Sequence, residues 1–456
     1  MRNSWVAWPM PSTRPPTARS STPARRRSGT SSPGSDKPPM RRLCRRGSMR
    51  RKPLFPPPRD QTGQPKRNKG RQEKSALTIN GRVRLRRIRW SSVEEGSTTP
   101  LDIALDAAEA TVSLGVRELA CRLNQSASSF DKAAENLGRA AQVRISGESL
   151  RQVVEAEGKA VLKAEQTGEL VPGWTAADCT TNQGQGPTRV YLGSDGVKVP
   201  LVTDAEKKAR RQKVRQKRRR RGKKARPLPA SRRGADQAYK EFKIVVYYDE
   251  AEEHRHVSVT RGDHQVAGRL MRRDAGRIAL DQADDKVAVV DGAEWIRNQI
   301  ARQNLPMDDV GLDFYHLAEH VHTARRAVCG EEDEGGKTWA GAVLHTVKHE
   351  GYGAFWEALV SWRSKLRGAR KRKAADQLLE YVSARKAMIQ YPEFLAKGRQ
   401  IGSGPTEAMC KTTTRRLKGS GMRWDGPNAE AVMTLAGLDQ SDAWKEYWRI
   451  CLKQAG

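Results

Sequence analysis

The stretch VAVVDGAEWI, Val287 to Ile296, runs four apolar residues into Asp291 and Gly292 and then into an amphipathic continuation, AEWIRNQIARQ. A short unbroken apolar run reads as a strand buried on both faces, and the helical period that follows makes a strand–helix unit of a parallel sheet. Asp-Gly is also a common turn pair, so this stretch alone leaves the role of Asp291 open. Upstream, TRVYLGSDGVKVPLV (Thr188–Val202) reads as a strand with Asp195 at a break between two halves. EFKIVVYYDEAEEHRHVSVTRG (Glu241–Gly262) reads as two strands about an acidic turn at Asp249–Glu253. A helical stretch then runs to Leu280, and DVGLDFYHL (Asp309–Leu317) supplies a further strand. The order is three strands, helix, strand, helix, strand, which is an α/β sheet with an antiparallel start and a parallel finish.

Charge is distributed unevenly around this body. The chain of 456 residues has a net charge of +33. Residues 1–75 hold twenty Lys/Arg against three acids and residues 207–233 hold sixteen against none, so these two stretches carry the whole surplus. A polyanion is the partner such charge implies, although a solvated tail or loop has the same composition. Both stretches are poor in large apolar groups and are expected to be flexible. Residues 1–75 also hold thirteen of the twenty-three prolines, and a mis-assigned translation start would account for that composition equally well. The six cysteines are scattered with no CxxC pair, which points to a reducing compartment and away from a disulfide framework or a zinc ribbon. No apolar run reaches the length of a membrane span, so a soluble cytoplasmic protein is expected.

LTINGRVRLRRIRW (Leu77–Trp90) alternates as a short strand pair about Asn80-Gly81. From Asp102 to about Glu169 the period is helical, with Ser126 or Ser128 and Ser146 as N-caps of the second and third helices. Helices joined this tightly read as a helix-turn-helix with Arg151 and Gln152 on the first turns of a DNA-reading helix, or equally as a small helical bundle. Beyond His316 the chain is helical for about eighty residues. The final block, KGRQIGSGPTEAMCKTTTRRLKGSGMRW (Lys397–Trp424), places Glu407 in the first turn of a helix begun by Pro405. Lys411, Arg415 and Lys418 follow on its face, opposite Met409, Cys410, Thr413 and Leu417.

A carboxylate at a helix start can simply complement the helix dipole. Taken together, though, Asp195, Asp291 and Glu407 are the oxygen ligands that two divalent ions take when they serve phosphodiester chemistry. His316/His320 and His345/His349 are one turn apart and can bind zinc, but neither pair has a neighbouring Cys or an HExxH arrangement.

SDGVKVP, VVDGAEWI, DFYHLAEHV and IGSGPTEAMCK…RLKGSGMRW together resemble the ISKra-type insertion-sequence DDE transposases of bacteria, relatives of the Mutator-like group, over about residues 76–450. The resemblance implies a retroviral-integrase-like (RNase H-like) catalytic domain with Asp195, Asp291 and Glu407 as its metal-binding triad. Asp313 and His316 would form its D(2)H motif in support, and an all-α insertion domain would lie between the last strand and the Glu407 helix. The expected division is a disordered basic segment (1–75), a helical DNA-binding region (76–170), the first part of the core (185–316, with the basic insert 207–233), the helical insertion (317–395) and the rest of the core (396–450). The cysteine-paired zinc element with which related transposases often begin has no counterpart here. The implied activity is Mg²⁺-dependent cleavage at terminal inverted repeats and strand transfer to target DNA. Two ions would take part, Mn²⁺ would substitute for Mg²⁺, and a homo-oligomer would assemble on DNA. The alternatives are a DNA-binding protein without catalysis and an RNase H-like nuclease that cuts without joining.

Overall fold

The computed structural model describes residues 56–101, 111–181, 184–223, 228 and 230–455, and the described residues from 57 onward form one compact unit. The expectations for residues 1–55 and for a helix over 102–110 lie outside the described residues. The first element is a ribbon of β1 (Arg67–Thr78) and β2 (Gly81–Ser92), reversed at Ile79-Asn80, with β3 (Gly96–Thr98) on its edge. The turn falls where the alternation places it, but β1 begins ten residues before Leu77, so the basic segment expected to lack structure to residue 75 is a strand from Arg67. Three helices follow: α1 (Leu114–Ser126), α2 (Phe130–Ala141) and α3 (Gly147–Thr167). Ser146 caps α3 as expected, whereas α2 is capped by Ser129 rather than Ser126 or Ser128.

β4 (Arg189–Pro200) is continuous through Asp195. The expected break is absent because its partner strand β5 (Tyr239–Asp249) pairs across it, Asp195 with Ile244 and Gly196 with Lys243. Between these strands the chain forms helix α4 (Asp204–Arg220), so the basic insert is helical and not flexible as far as Arg220. Thr203 and Glu206 close a capping box at its start, and such a box satisfies two otherwise orphaned amides. β6 (Arg255–Thr260), α5 (His264–Arg277), β7 (Asp285–Val290), α6 (Glu294–Arg302) and β8 (Asp309–Leu312) complete a five-stranded sheet of order β6-β5-β4-β7-β8. β4, β5 and β6 run antiparallel, and β4, β7 and β8 run parallel, as the order of elements predicts.

Helices α7 (Phe314–Cys329), α8 (Glu334–His349), α9 (Tyr352–Lys365), α10 (Ala369–Ser383) and α11 (Tyr391–Ala396) fill the stretch expected to be helical. The chain then returns to the sheet through α12 (Gly404–Arg415), α13 (Gly426–Gln440) and α14 (Trp444–Ala455). Strand side chains alternate between two cores, as the period of two requires. Tyr191, Val197, Phe242, Ile244, Val287 and Val289 face α1–α3, α12 and α13, while Val190, Leu192, Val245, Ala288 and Val290 face α5–α10. The sheet is thus a middle layer with helices on both faces.

Candidate active site

Three aspartates stand level on the sheet. In the parallel ladder Tyr191 pairs with Val287 and Leu192 with Ala288, and in the next ladder Val289 pairs with Gly311 and Val290 with Leu312. Carrying these registers forward sets Asp195 level with Asp291, three residues past the last paired residues of β4 and β7, and Asp291 level with Asp313, one residue past the last pair of β7 and β8. The alternation puts all three on the face that carries Tyr191, Val287 and Val289. Asp291 and Asp313 lie just past the carboxyl ends of β7 and β8, where open α/β sheets place their ligand sites.

The turn after β7 is fixed by backbone geometry. Gly292 has φ 79°, a left-handed conformation favoured by glycine, and a Cβ there would lie 2.6 Å from both Arg385 Nε and Leu312 Cδ1. The Ala293 amide donates to Asp291 Oδ1 at 2.8 Å, and the Gly196 amide donates to Asp195 Oδ1 at 2.5 Å, so each carboxylate is held by one oxygen.

Glu407 reaches this row through a chain of anchors. Arg399 binds Asp285 at 2.5 Å and also pairs with Asp309, and Arg189 binds Asp285 at 2.7 Å, which pins the return segment from α11 to the starts of β7 and β8. The Gln400 amide donates to Tyr191 Oη at 3.0 Å, and the Phe314 amide donates to Ile401 O at 2.9 Å. Buried Asp313 then caps α7 through the His316 amide at 2.9 Å, while its other oxygen accepts from the Ser403 amide at 2.6 Å and from the Ser403 hydroxyl. Ser403 is the N-cap residue of α12, so Asp313 joins two helix starts. One residue before Glu407, buried Thr406 packs where a Gly193 Cβ would be, 1.8 Å from its Oγ1. Gly193 shares the face of Asp195, so α12 settles on β4 with Glu407 beside the aspartates.

The electrostatics agree with this convergence. Burial pushes the Asp195 carboxyl above its ordinary range, and the Asp291 and Glu241 charges push the same way. Partial desolvation raises Glu407, and Asp313 and then Asp195 raise it further, against His316. Among the described residues no three His, Cys, Asp or Glu side chains stand ready as the ligands of a single ion. The donor set does fit hard cations that keep several waters and take few carboxylates.

The supporting residues divide. Asp313, buried just past the end of β8, acts as a clamp on two helix starts. His316 lies in the first turn of α7, partly exposed, with Nδ1 3.9 Å from Glu319 Oε2. His320 stacks on Tyr381 at 3.6 Å, and the His345 and His349 rings are 4.5 Å apart. Lys411 and Arg415 are exposed on α12, but the helix ends at Arg415, so Lys418 belongs to the following turn and does not continue the stripe. Arg151 is held by Glu148 and Glu155, each at 2.6 Å, and Gln152 donates to Glu148 at 3.0 Å, so the first turns of α3 are internally neutralised. Ser403, Thr406, Gly193 and Arg385 were not foreseen. Ser403 and Thr406 lie in the GSGPTE run already singled out for Glu407, and Gly193 lies two residues before Asp195.

Among the described residues no helix is long and apolar enough to cross a membrane. No family model and no curated protein matches the chain. Among solved structures, the Drosophila P element transposase strand transfer complex is similar at 9% identity over 75% of this chain and 81% of that one, with a TM-score of 0.26, and at that score the likeness fixes neither fold nor activity.

Proposed function

We propose that this chain is a DNA transposase with an RNase H-like catalytic domain, acting on the terminal inverted repeats of its own element. The observation that carries the reading is the level row of Asp195, Asp291 and Asp313 on one sheet face, with Glu407 brought to it by α12. The resemblance of the motifs that carry these acids supports it too. Asp195, Asp291 and Glu407 would hold two Mg²⁺, or Mn²⁺ in their place, and the ions supply charge stabilisation and an activated water or 3′-hydroxyl for in-line displacement. Asp313 would keep Glu407 in place by clamping Ser403. Lys411 and Arg415 would hold backbone phosphates, contacts that set register without reading bases. Two element ends have to be brought together for joining, so more than one copy of the chain would act on DNA.

The test is cleavage and joining on a duplex carrying the genomic DNA that flanks the coding sequence, with Mg²⁺ or Mn²⁺. Asp291→Asn and Glu407→Gln should each lower both steps roughly a hundredfold or more, the scale of losing several kcal/mol of charge stabilisation. Cutting that never yields joined product would make the chain a nuclease. Activity unchanged in both variants would remove the acids from the chemistry.

A further inference from the structure

α4 is a helix of 17 residues, ten of them Lys or Arg, and it buries no side chain. One side faces the body: Lys207 reaches Asp425 at 3.3 Å and Arg233 O at 3.2 Å, Arg211 reaches Leu228 O at 3.4 Å, and Glu206 pairs with Arg423 at 3.4 Å. At about 3.6 residues per turn, the opposite side presents Ala205, Ala209, Gln212 and Gln216 as an uncharged stripe. Two cationic rows border the stripe, Lys208, Arg215 and Arg219 on one edge and Arg210, Lys213, Lys217 and Arg220 on the other, and all seven are exposed.

This pattern is selective. An apolar groove on a protein wants hydrophobic anchors at helical spacing, and a membrane surface wants an apolar face, neither of which the stripe offers. A B-form major groove is about 12 Å wide, matching a helix about 10–12 Å across, and its two walls are phosphate with a hydrogen-bonding floor between them. The A-form RNA major groove is too narrow and deep to admit the same helix. We propose that α4 lies in the major groove of duplex DNA, with one cationic row on each phosphate wall and Gln212 and Gln216 turned to the base edges, where glutamine pairs best with adenine. At about 1.5 Å per residue the helix spans about 25 Å, roughly seven base pairs. Nine residues of strand and extended chain, about 30 Å, separate its start from Asp195, so the contact falls on DNA flanking the reacting phosphate. This rests on the proposed DNA substrate, but it is tested by binding and not by catalysis.

The experiment measures affinity of the full chain for a mixed-sequence DNA duplex over a range of salt. Lys213→Gln with Lys217→Gln removes charge from one row, and Arg215→Gln with Arg219→Gln from the other. Each pair should reduce the slope of log affinity against log salt by about 2, and Arg215→Lys with Arg219→Lys should keep the wild-type slope. The same pairs should leave affinity for an RNA duplex of the same sequence unchanged. If only one pair matters, or if RNA affinity falls equally, the groove placement is wrong. If neither pair matters while the wild type still binds DNA, α4 is no DNA contact and the substrate reading stands. A wild-type chain that fails to bind duplex DNA overturns both.

Discussion

At the scale of single residues the aspartate row contains two kinds of acid, and they should answer mutation with opposite signs. Asp195 has a raised carboxyl, so its contribution to folding is present while it is protonated below its ordinary value and is lost as pH rises through the folded value; at neutral pH its charge opposes folding. Asp195→Asn should therefore raise the melting temperature of the metal-free protein at pH 7 and abolish the rise that Mg²⁺ gives the wild type. Asp313 is different, because its two oxygens accept the His316 and Ser403 amides and the Ser403 hydroxyl inside the protein. Asp313→Asn forces a donor toward other donors and should cost about 1–3 kcal/mol, with Mg²⁺ still raising the melting temperature. Thermal melts of both variants with and without Mg²⁺ decide this, and a destabilised, still Mg²⁺-responsive Asp195→Asn would remove that residue from the site.

Among elements, the sheet was legible because apolar runs and alternation are its own physical signal, and Asp291 was legible because a carboxylate closed such a run. What failed were features set by neighbours. Asp195-Gly196 looks like a turn, yet β5 pairs across it and the Glu241 side chain covers Gly196, whose Cβ would meet Glu241 Oε1 at 2.0 Å. α4 has no apolar period, and its legible sign was the capping box Thr203-Asp-Ala-Glu206. Asp313 matched the expected motif by position, but its clamp on Ser403 joins residues 90 apart and no spacing reveals it. Helix contacts through glycine were equally hidden. Gly158 of α3 lies against α13, where a Cβ would be 2.2 Å from Ala431 O, whereas Gly341 of α8 has open space around it. Gly158→Ala should cost about 1–3 kcal/mol by forcing the helices apart, while Gly341→Ala should add about 0.5–1 kcal/mol by improving helix propensity. Urea denaturation compares the two, and equal effects would mean that α3 and α13 are not in close contact.

For the molecule as a whole, the helical region before β4 is joined to the five-stranded sheet by a buried charged cluster whose titration should make stability depend on pH. Glu165 of α3 is almost wholly buried, facing His256 on β6 and Arg273, Asp274 and Arg277 on α5, and Arg277 also donates to the Glu165 carbonyl. Burial pushes the Glu165 carboxyl up to about 7, against the pull of His256 and Arg273. Asp274 next to it is held below its usual range, because His256 and Arg273 outweigh its own burial. The raised Glu165 contributes stability that is fully present below pH 4.5, its ordinary value, and is lost progressively as pH rises through about 7. The full shift corresponds to about 3 kcal/mol. Glu165→Gln keeps a neutral group of the same shape, so the wild type should lose stability relative to this variant as pH rises from 5 to 8, whatever the other groups contribute to both. Denaturant midpoints of the two proteins across that range measure the difference directly, and parallel curves would show that Glu165 is ionised or solvated throughout and that the join between the helical region and the sheet does not titrate.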